Sequence, residues 1–347
     1  VTVNDATVAV ADAGALAAWL RANVDDIPDA PAELELISGG HSNLTVGVRM
    51  GDRDLVLRRP PVGAFLPSAN DMQREHTFLA ALASTRVPTP RPFGICDDPE
   101  VLGAPFYVME RLHGVVPHDP SALAGLSEVD GRRLSTSIAD VLADLHAVDP
   151  DAVGLGGVAK RTGYLERQVR RWVDQYRRSV DGDREPAIEE LAAVLEKSLP
   201  ASPPSTIVHG DYRLGNLMVD VADRARIIGV FDWEMATLGD PLADVGYTLL
   251  YWGSRDRPLI HPSQACADLP GFLTAGELTE RYAAQSGRPV EQVTFYVVLA
   301  AFKLAIIGLG HRALQRRAGG GASGPEPDSP KGPSLPEWAL AQWRAAQ

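Results

Sequence analysis

The chain holds 347 residues, 45% hydrophobic and 22% charged, enough for a sizeable core in one large bilobal unit or two ordinary domains. A formal net charge of −12 argues against nucleic acid or an anionic membrane as the main partner and is compatible with a cationic substrate. Cys96 and Cys266 are the only cysteines and lack metal-site spacing, so a disulfide framework is not expected and a reducing, cytoplasmic setting is.

The N-terminus shows no basic segment followed by an apolar run, so no signal peptide is expected. From Ala6 to Val24 the spacing of Leu16, Trp19 and Leu20 predicts a helix that stops before Pro28. Strand patterns follow over Glu33–Ile37, Leu44–Met50 and Arg53–Leu57, the last two joined by a hairpin turn at Gly51-Asp52. Asn70–Ala83 has helical spacing, with Ser68 or Asn70 as its cap, and ends before Pro88 and Pro90. Arg91–Cys96 and Pro105–Leu112 read as a strand pair around the turn-rich Asp97-Asp98-Pro99.

After Asp130 the chain is mostly helical, over Arg132–Ala147, Thr162–Val180, Ile188–Leu199, Ala275–Ser286 and Glu291–Leu314. Short β-like runs interrupt it between Ile207 and Phe231. Val293–Leu309 is interrupted by Lys303, falls short of a membrane span and reads as a buried helix. Residues 318–334 are crowded with glycine and proline and predict a mobile loop, and Leu335–Ala346 a last helix anchored by Trp338 and Trp343. The expected organisation is a helical extension over residues 1–28, a nucleotide-binding sheet with one helix over 29–112, and a larger helical part over 113–347.

Chemistry concentrates between Ile207 and Ala243. His209-Gly210-Asp211, Asn216 and Asp232 each lie at the edge of an apolar β-like run. Phosphoryl transfer uses one carboxylate to orient an acceptor hydroxyl, and an amide plus a second carboxylate to hold Mg2+ on nucleotide phosphates. Asp211, Asn216 and Asp232 fit those three roles in that order. Asp or Asn as a mere turn former explains one of them but not the set.

Upstream parts support the same chemistry. Ser38-Gly39-Gly40-His41-Ser42-Asn43 fits a backbone cradle for phosphates, with Gly39, Gly40, Ser42 and Asn43 as contacts, or an ordinary hairpin turn. Strand alternation separates Val56 and Arg58 from Leu55, Leu57 and Arg59, so Arg58 is either the phosphate-anchoring cation or a surface charge like Arg59. Glu75 shares a helical stripe with Phe78, Leu79 and Leu82, and a carboxylate on an apolar face is costly unless paired. Arg58 is its natural partner. The strand Phe106–Leu112 would offer an adenine edge around Glu110 to Leu112.

Together H-G-D-x4-N and F-D-W-E resemble the aminoglycoside phosphotransferase and choline kinase group, over roughly Leu34 to Tyr251. Protein kinases use H-R-D and D-F-G instead. Val56-Leu57-Arg58-Arg59-Pro60-Pro61 with Asp232-Trp233-Glu234 and Gly239-Asp240-Pro241 resembles the subgroup of kinase domains fused to acyl-CoA dehydrogenases.

The resemblance implies an α+β, bilobal protein-kinase-like fold, with a small β-rich N-lobe and a larger, mostly α-helical C-lobe. It implies ATP and Mg2+ as cofactors, Asp211 as catalytic base, Asn216 and Asp232 as metal ligands, and Arg58 with Glu75 as the phosphate-anchoring pair. His209 and Asp244 would hold the loop, and Glu234 would face the acceptor or solvent. Arg58 stands where such kinases carry lysine. The acceptor would be a small-molecule hydroxyl: an aminoglycoside, an amino alcohol or an acyl thioester. A non-catalytic nucleotide-binding scaffold is the alternative of another class.

Overall fold

The computed structural model describes residues 12–39, 43–60, 72–179, 185–255, 257–317 and 333–347. They fall into two compact units, Val1–Gly114 with Ile228–Ala236, and Val115–Ile227 with Thr237–Gln347.

The first unit is built on helix α1 (Ala13–Asn23), strands β1 (Glu33–Gly39), β2 (Leu44–Met50) and β3 (Arg53–Arg59), helix α2 (Met72–Leu82), strand β4 (Pro92–Cys96), the single turn α3 (Pro99–Leu102) and strand β5 (Phe106–Glu110). The strands form one antiparallel sheet in the order β1-β2-β3-β5-β4. Gly51, at φ +59°, makes the tight turn between β2 and β3 that a side chain would strain. Asp12 caps α1 by accepting from the N–H groups of Gly14 and Ala15 at 2.8 and 3.0 Å.

Leu16 and Leu20 of α1 pack with Val46, Val48, Leu55, Leu57, Phe106 and Val108, so this helix is part of the sheet's core. Trp19 meets the Phe106 ring edge-on at 4.9 Å. Helix α2 buries Glu75, Phe78, Leu79 and Leu82, the stripe that its spacing predicts. The caps proposed at Ser68 and Asn70 lie outside the described residues.

Two local expectations change. Arg59 is not a surface charge: it is 1% exposed and its Nη1 donates to the carbonyl of Leu102 at 2.9 Å, at the C-terminus of α3. The stretch expected as a bare turn at Asp98-Pro99 is that helical turn, capped by the Asp98 side chain with proline at its start.

The chain continues through β6 (Gly114–Val115), α4 (Glu128–Ala147), α5 (Tyr164–Ser179), α6 (Pro186–Lys197), β7 (Thr206–Val208), β8 (Leu217–Asp220), β9 (Ile227–Val230), β10 (Thr237–Gly239), α7 (Leu242–Leu250), α8 (Ala275–Ser286), α9 (Val293–Arg317) and α10 (Leu335–Ala345). In the second unit β7 pairs antiparallel with β10. Helix α9 packs against α5, α6, α7 and α10. Val293–Gly310 is long and apolar enough to cross a membrane, contrary to the expectation drawn from Lys303. In this fold it nevertheless buries Phe295, Tyr296, Val298, Phe302 and Ile306 inside the unit. Of the two expected anchors of α10, Trp338 is buried and Trp343 only half-buried. Residues 318–332 of the expected loop lie outside the described residues.

In the second unit α7 packs tightly on α9, where Gly246 faces Tyr296. A Cβ on Gly246 would stand 2.4 Å from the Tyr296 backbone carbon. Gly246→Ala should therefore cost about 1–3 kcal/mol, read as a lower denaturation midpoint. Gly157→Ala, which meets open space, should stay within about 0.5 kcal/mol of the parent. Equal midpoints for the two variants would refute this packing.

Candidate active site

In the first unit the sequence puts one carboxylate where it cannot reach water. Glu75 is 1% exposed, and its burial is matched by three donors. Arg58 places Nε 3.1 Å from Oε2 and donates from Nη2 to Oε1 at 3.3 Å. The Tyr107 hydroxyl donates to Oε2 at 2.7 Å, and the Asn43 amide to Oε1 at 3.0 Å. Sheet register explains the convergence, because Arg58 stands directly opposite Thr45 on β2 and Tyr107 on β5. Burial pushes the Glu75 carboxyl up, against the pull of Arg58 and Tyr107. Burial alone would lower Arg58, but Tyr107, Glu75 and Asp232 hold it above its ordinary value. Removing one partner of such a pair typically costs about 3–5 kcal/mol, because the other charge is left buried.

Arg58 Nη2 also donates to Asp232 Oδ1 at 3.2 Å. Asp232 has φ 69° and ψ 58°, a left-handed backbone that costs a non-glycine residue about 1–2 kcal/mol. The neighbouring contacts fix it. Val230 N–H donates to the Pro88 carbonyl at 2.8 Å, and Trp233 Nε1 to the Val230 carbonyl at 3.0 Å. The Trp233 ring stacks on Phe78 of α2 at 6.4 Å, and Arg74 of α2 donates to the Ala236 carbonyl at 2.7 Å. One turn of α2 thus carries both the partner of Arg58 and the clamp on Asp232. Glu75, Asp232 and Glu234 offer carboxylate oxygens within 4.8 Å of one another.

In the second unit β7 delivers the loop His209-Gly210-Asp211. Gly210 has φ +83°, which lets the chain turn there. Asp244 of α7 accepts the N–H groups of His209 and Gly210 at 2.6 and 2.7 Å. His146 of α4 lies 3.3 Å from Asp244 through Nε2 and 2.7 Å from the Tyr282 hydroxyl through Nδ1. Burial lowers His146, so its neutral form is favoured. Burial would raise Asp244, but His146, His209 and the Gly210 N–H outweigh it. His209 is fully buried and its Nδ1 accepts the Asp211 N–H at 3.2 Å, the loop-holding role expected for it.

Both oxygens of Asp211 are oriented. Arg213 Nε donates to Oδ1 at 3.2 Å and Asn216 Nδ2 to Oδ2 at 2.7 Å. Asn216 Nδ2 also reaches the Asp211 carbonyl at 2.8 Å, and its own Oδ1 has no hydrogen-bond partner among the described residues. Lys303 Nζ donates to the Gly210 carbonyl at 3.0 Å and sits 4.8 Å from the Tyr247 ring centre.

The structure brings Arg58, Glu75, Asn43 and Asp232 together in one unit, and Asp211 with Asn216 in the other. Asn43 spends its amide on Glu75. Gly40 and Ser42 lie outside the described residues, and Gly39 ends β1 opposite Leu44. The Glu110 N–H is taken by the Arg91 carbonyl at 2.8 Å, so an adenine edge there would use other groups of the segment, such as those of Leu112. Sequence reasoning did not single out Tyr107, His146 or Arg213. Lys303 was noted only as an interruption of an apolar run, although a lone cation there carries the same signal as Glu75.

A family model described as the phosphotransferase enzyme family matches residues 33–278. Acyl-CoA dehydrogenase family member 10 of Mus musculus is 36% identical over 310 residues, 88% of this chain and 29% of that protein. Acyl-CoA dehydrogenase family member 11 of Homo sapiens is 33% identical over 275 residues, 78% of this chain and 35% of that protein. The chain therefore spans only a minor part of these relatives' length. A solved structure from Ralstonia eutropha JMP134, provisionally assigned as an aminoglycoside phosphotransferase, is 31% identical with a TM-score of 0.77, covering 97% of this chain and 95% of that one. A thermostable mutant of aminoglycoside phosphotransferase APH(4)-Ia, solved with ADP and hygromycin B, shares the fold at 16% identity and TM-score 0.59, covering 90% of this chain and 94% of that one. The architecture is the α+β kinase-like fold, with an antiparallel sheet in the N-terminal part and helices in the C-terminal part. This chain belongs to the phosphotransferase enzyme family.

Proposed function

We propose that this protein is a Mg-ATP-dependent O-phosphotransferase acting on a hydroxyl of a small molecule. The observation that carries the reading is the oriented Asp211 carboxylate, fixed by Arg213 and Asn216 in a loop whose backbone Asp244 clamps. In this reading Asp211 takes the proton of the acceptor hydroxyl. The acceptor oxygen forms a bond to the γ-phosphorus as the bond from phosphorus to the ADP oxygen breaks. Positioning and charge neutralisation supply most of the rate.

Arg58, steadied by Glu75, is the proposed anchor for the α- and β-phosphates. Its guanidinium fork can hold Glu75 and still present N–H groups to an oxyanion. Each residue taken separately offers oxygen chemistry that suits a hard divalent cation: Asn216 has an amide oxygen with no hydrogen-bond partner among the described residues, and Asp232 has a half-exposed carboxylate. When bound, Mg2+ would neutralise charge on the nucleotide phosphates.

The acceptor is not carried over from the APH(4)-Ia complex, since 16% identity speaks for fold alone. A hydroxyl on an acyl thioester is a second reading, prompted by the acyl-CoA dehydrogenase names of relatives of which this chain matches 29% and 35% of the length. A coupled ADP-release screen tests the function, setting aminoglycosides and amino alcohols against hydroxyacyl-CoA compounds and sugars. Mg-dependent ATP binding with no acceptor-dependent ADP release would favour the scaffold reading instead.

Three variants sharpen the test. Asp211→Asn should lower kcat by about 100-fold or more while calorimetry still detects Mg-ATP binding; lost nucleotide binding would misplace its role. Asp232→Ala should abolish the Mg2+ dependence of nucleotide affinity, measured with and without chelator. Unaltered dependence would remove Asp232 from the metal site. Arg58→Lys should weaken ATP binding by about tenfold, since an ammonium cannot span Glu75, Asp232 and a phosphate together. Full affinity in that variant would mean that charge alone suffices.

A further inference from the structure

Around Asp211 the second unit gathers more positive charge than a general base requires. Arg213 holds Asp211 Oδ1 through Nε, yet its Nη1 is buried with no hydrogen-bond partner among the described residues. That nitrogen lies over Gly215, where a Cβ would come within 2.3 Å of it. Any larger residue at 215 would displace the guanidinium. An unsatisfied, buried guanidinium N–H is a costly group to keep, and its commonest explanations are a water or a ligand oxygen.

The rest of the guanidinium is braced. Arg213 stacks on the Tyr251 ring at 5.5 Å, and His261 lies 3.7 Å from the same Gly215 Cβ position. Lys303 also donates to the Gly210 carbonyl at 3.0 Å, and burial lowers its ammonium below its ordinary pKa against the pull of Asp211 and Asp244. The negative groups facing these cations are already committed. Asp244 is shared between two backbone N–H groups and His146, and Asp211 is held by Arg213 and Asn216.

We propose that Arg213, supported by Lys303, selects an acceptor that carries an oxyanion, a carboxylate or a phosphate ester, close to its reactive hydroxyl, and disfavours cationic acceptors. Nη1 would take the oxyanion while Nε keeps Asp211 in place, so one guanidinium would register the acceptor's charge against the base. This goes against the simplest use of the net charge of −12, which is compatible with a cationic substrate. A whole-chain charge does not report the sign of the charge beside Asp211. The inference rests on the phosphotransferase reading and deepens it.

The test uses four small hydroxyl compounds with Mg-ATP: 3-hydroxybutyrate, glycerol 3-phosphate, neutral 1,3-butanediol and cationic ethanolamine. Acceptor-dependent ADP release gives kcat/KM, and saturation-transfer NMR reads binding independently. At least one oxyanion compound should exceed both ethanolamine and the diol by about tenfold or more, and which one does so separates a carboxylate from a phosphate. Arg213→Gln should cut that preference about tenfold, chiefly through KM, and Arg213→Lys should restore part of it. Lys303→Met should lower the preference less than Arg213→Gln. Preference for ethanolamine, or an unchanged ratio in Arg213→Gln that still binds Mg-ATP, overturns the proposal. Mg-ATP binding with none of the four compounds bound or phosphorylated also overturns it while leaving the nucleotide reading intact. Absence of Mg-ATP binding overturns the phosphotransferase reading itself.

Discussion

A carboxylate buried in an apolar helix face is the constraint on which the first unit's chemistry depends. Glu75 is desolvated at a cost of several kcal/mol unless matched, and Arg58, Tyr107 and Asn43 match it from three different strands or strand ends. The bargain runs in both directions. Glu75 fixes a long, flexible arginine in one rotamer, and that arginine reaches the strained turn at Asp232. Because Phe78 and Arg74 of the same helix hold that turn, a shift of α2 would disturb the cation and the carboxylate together. Arginine in place of lysine is consistent with this duty, since a planar fork can serve two carboxylates at once.

The second unit solves a different problem, which is to hold a loop of polar backbone inside a helical core. Asp244 does this by accepting two consecutive N–H groups, and His146, itself held by the Tyr282 hydroxyl, in turn satisfies Asp244. The chain of bonds ends on helices that pack at van der Waals distance, as Gly246 against Tyr296 shows. The geometry of Asp211 is therefore set by the core rather than by the loop's own turn propensity.

Much of this was legible in the sequence where one local rule decided the outcome. The stripe Glu75, Phe78, Leu79 and Leu82 follows from helical period alone, and a buried charge there demands a partner. Alternation along β3 separated Arg58 from Leu55 and Leu57 for the same reason. What stayed hidden depended on register or on long-range packing. Tyr107 could be placed beside Arg58 only once β3 and β5 were known to pair at that position. Arg59 looked like surface charge because nothing local announces the Leu102 carbonyl as its acceptor. His146 meets Asp244 across 98 residues, a contact that no spacing rule reaches.

The central claim is that Glu75 earns its burial by holding Arg58 for nucleotide phosphate. A double-mutant cycle on Mg-ATP affinity, with Arg58→Gln, Glu75→Gln and both together in folded protein, tests it most directly. Each single change should weaken binding, and the double variant should bind little worse than Arg58→Gln alone. Additive losses, or full affinity in Glu75→Gln, would show that the pair does not act as a unit in holding the nucleotide.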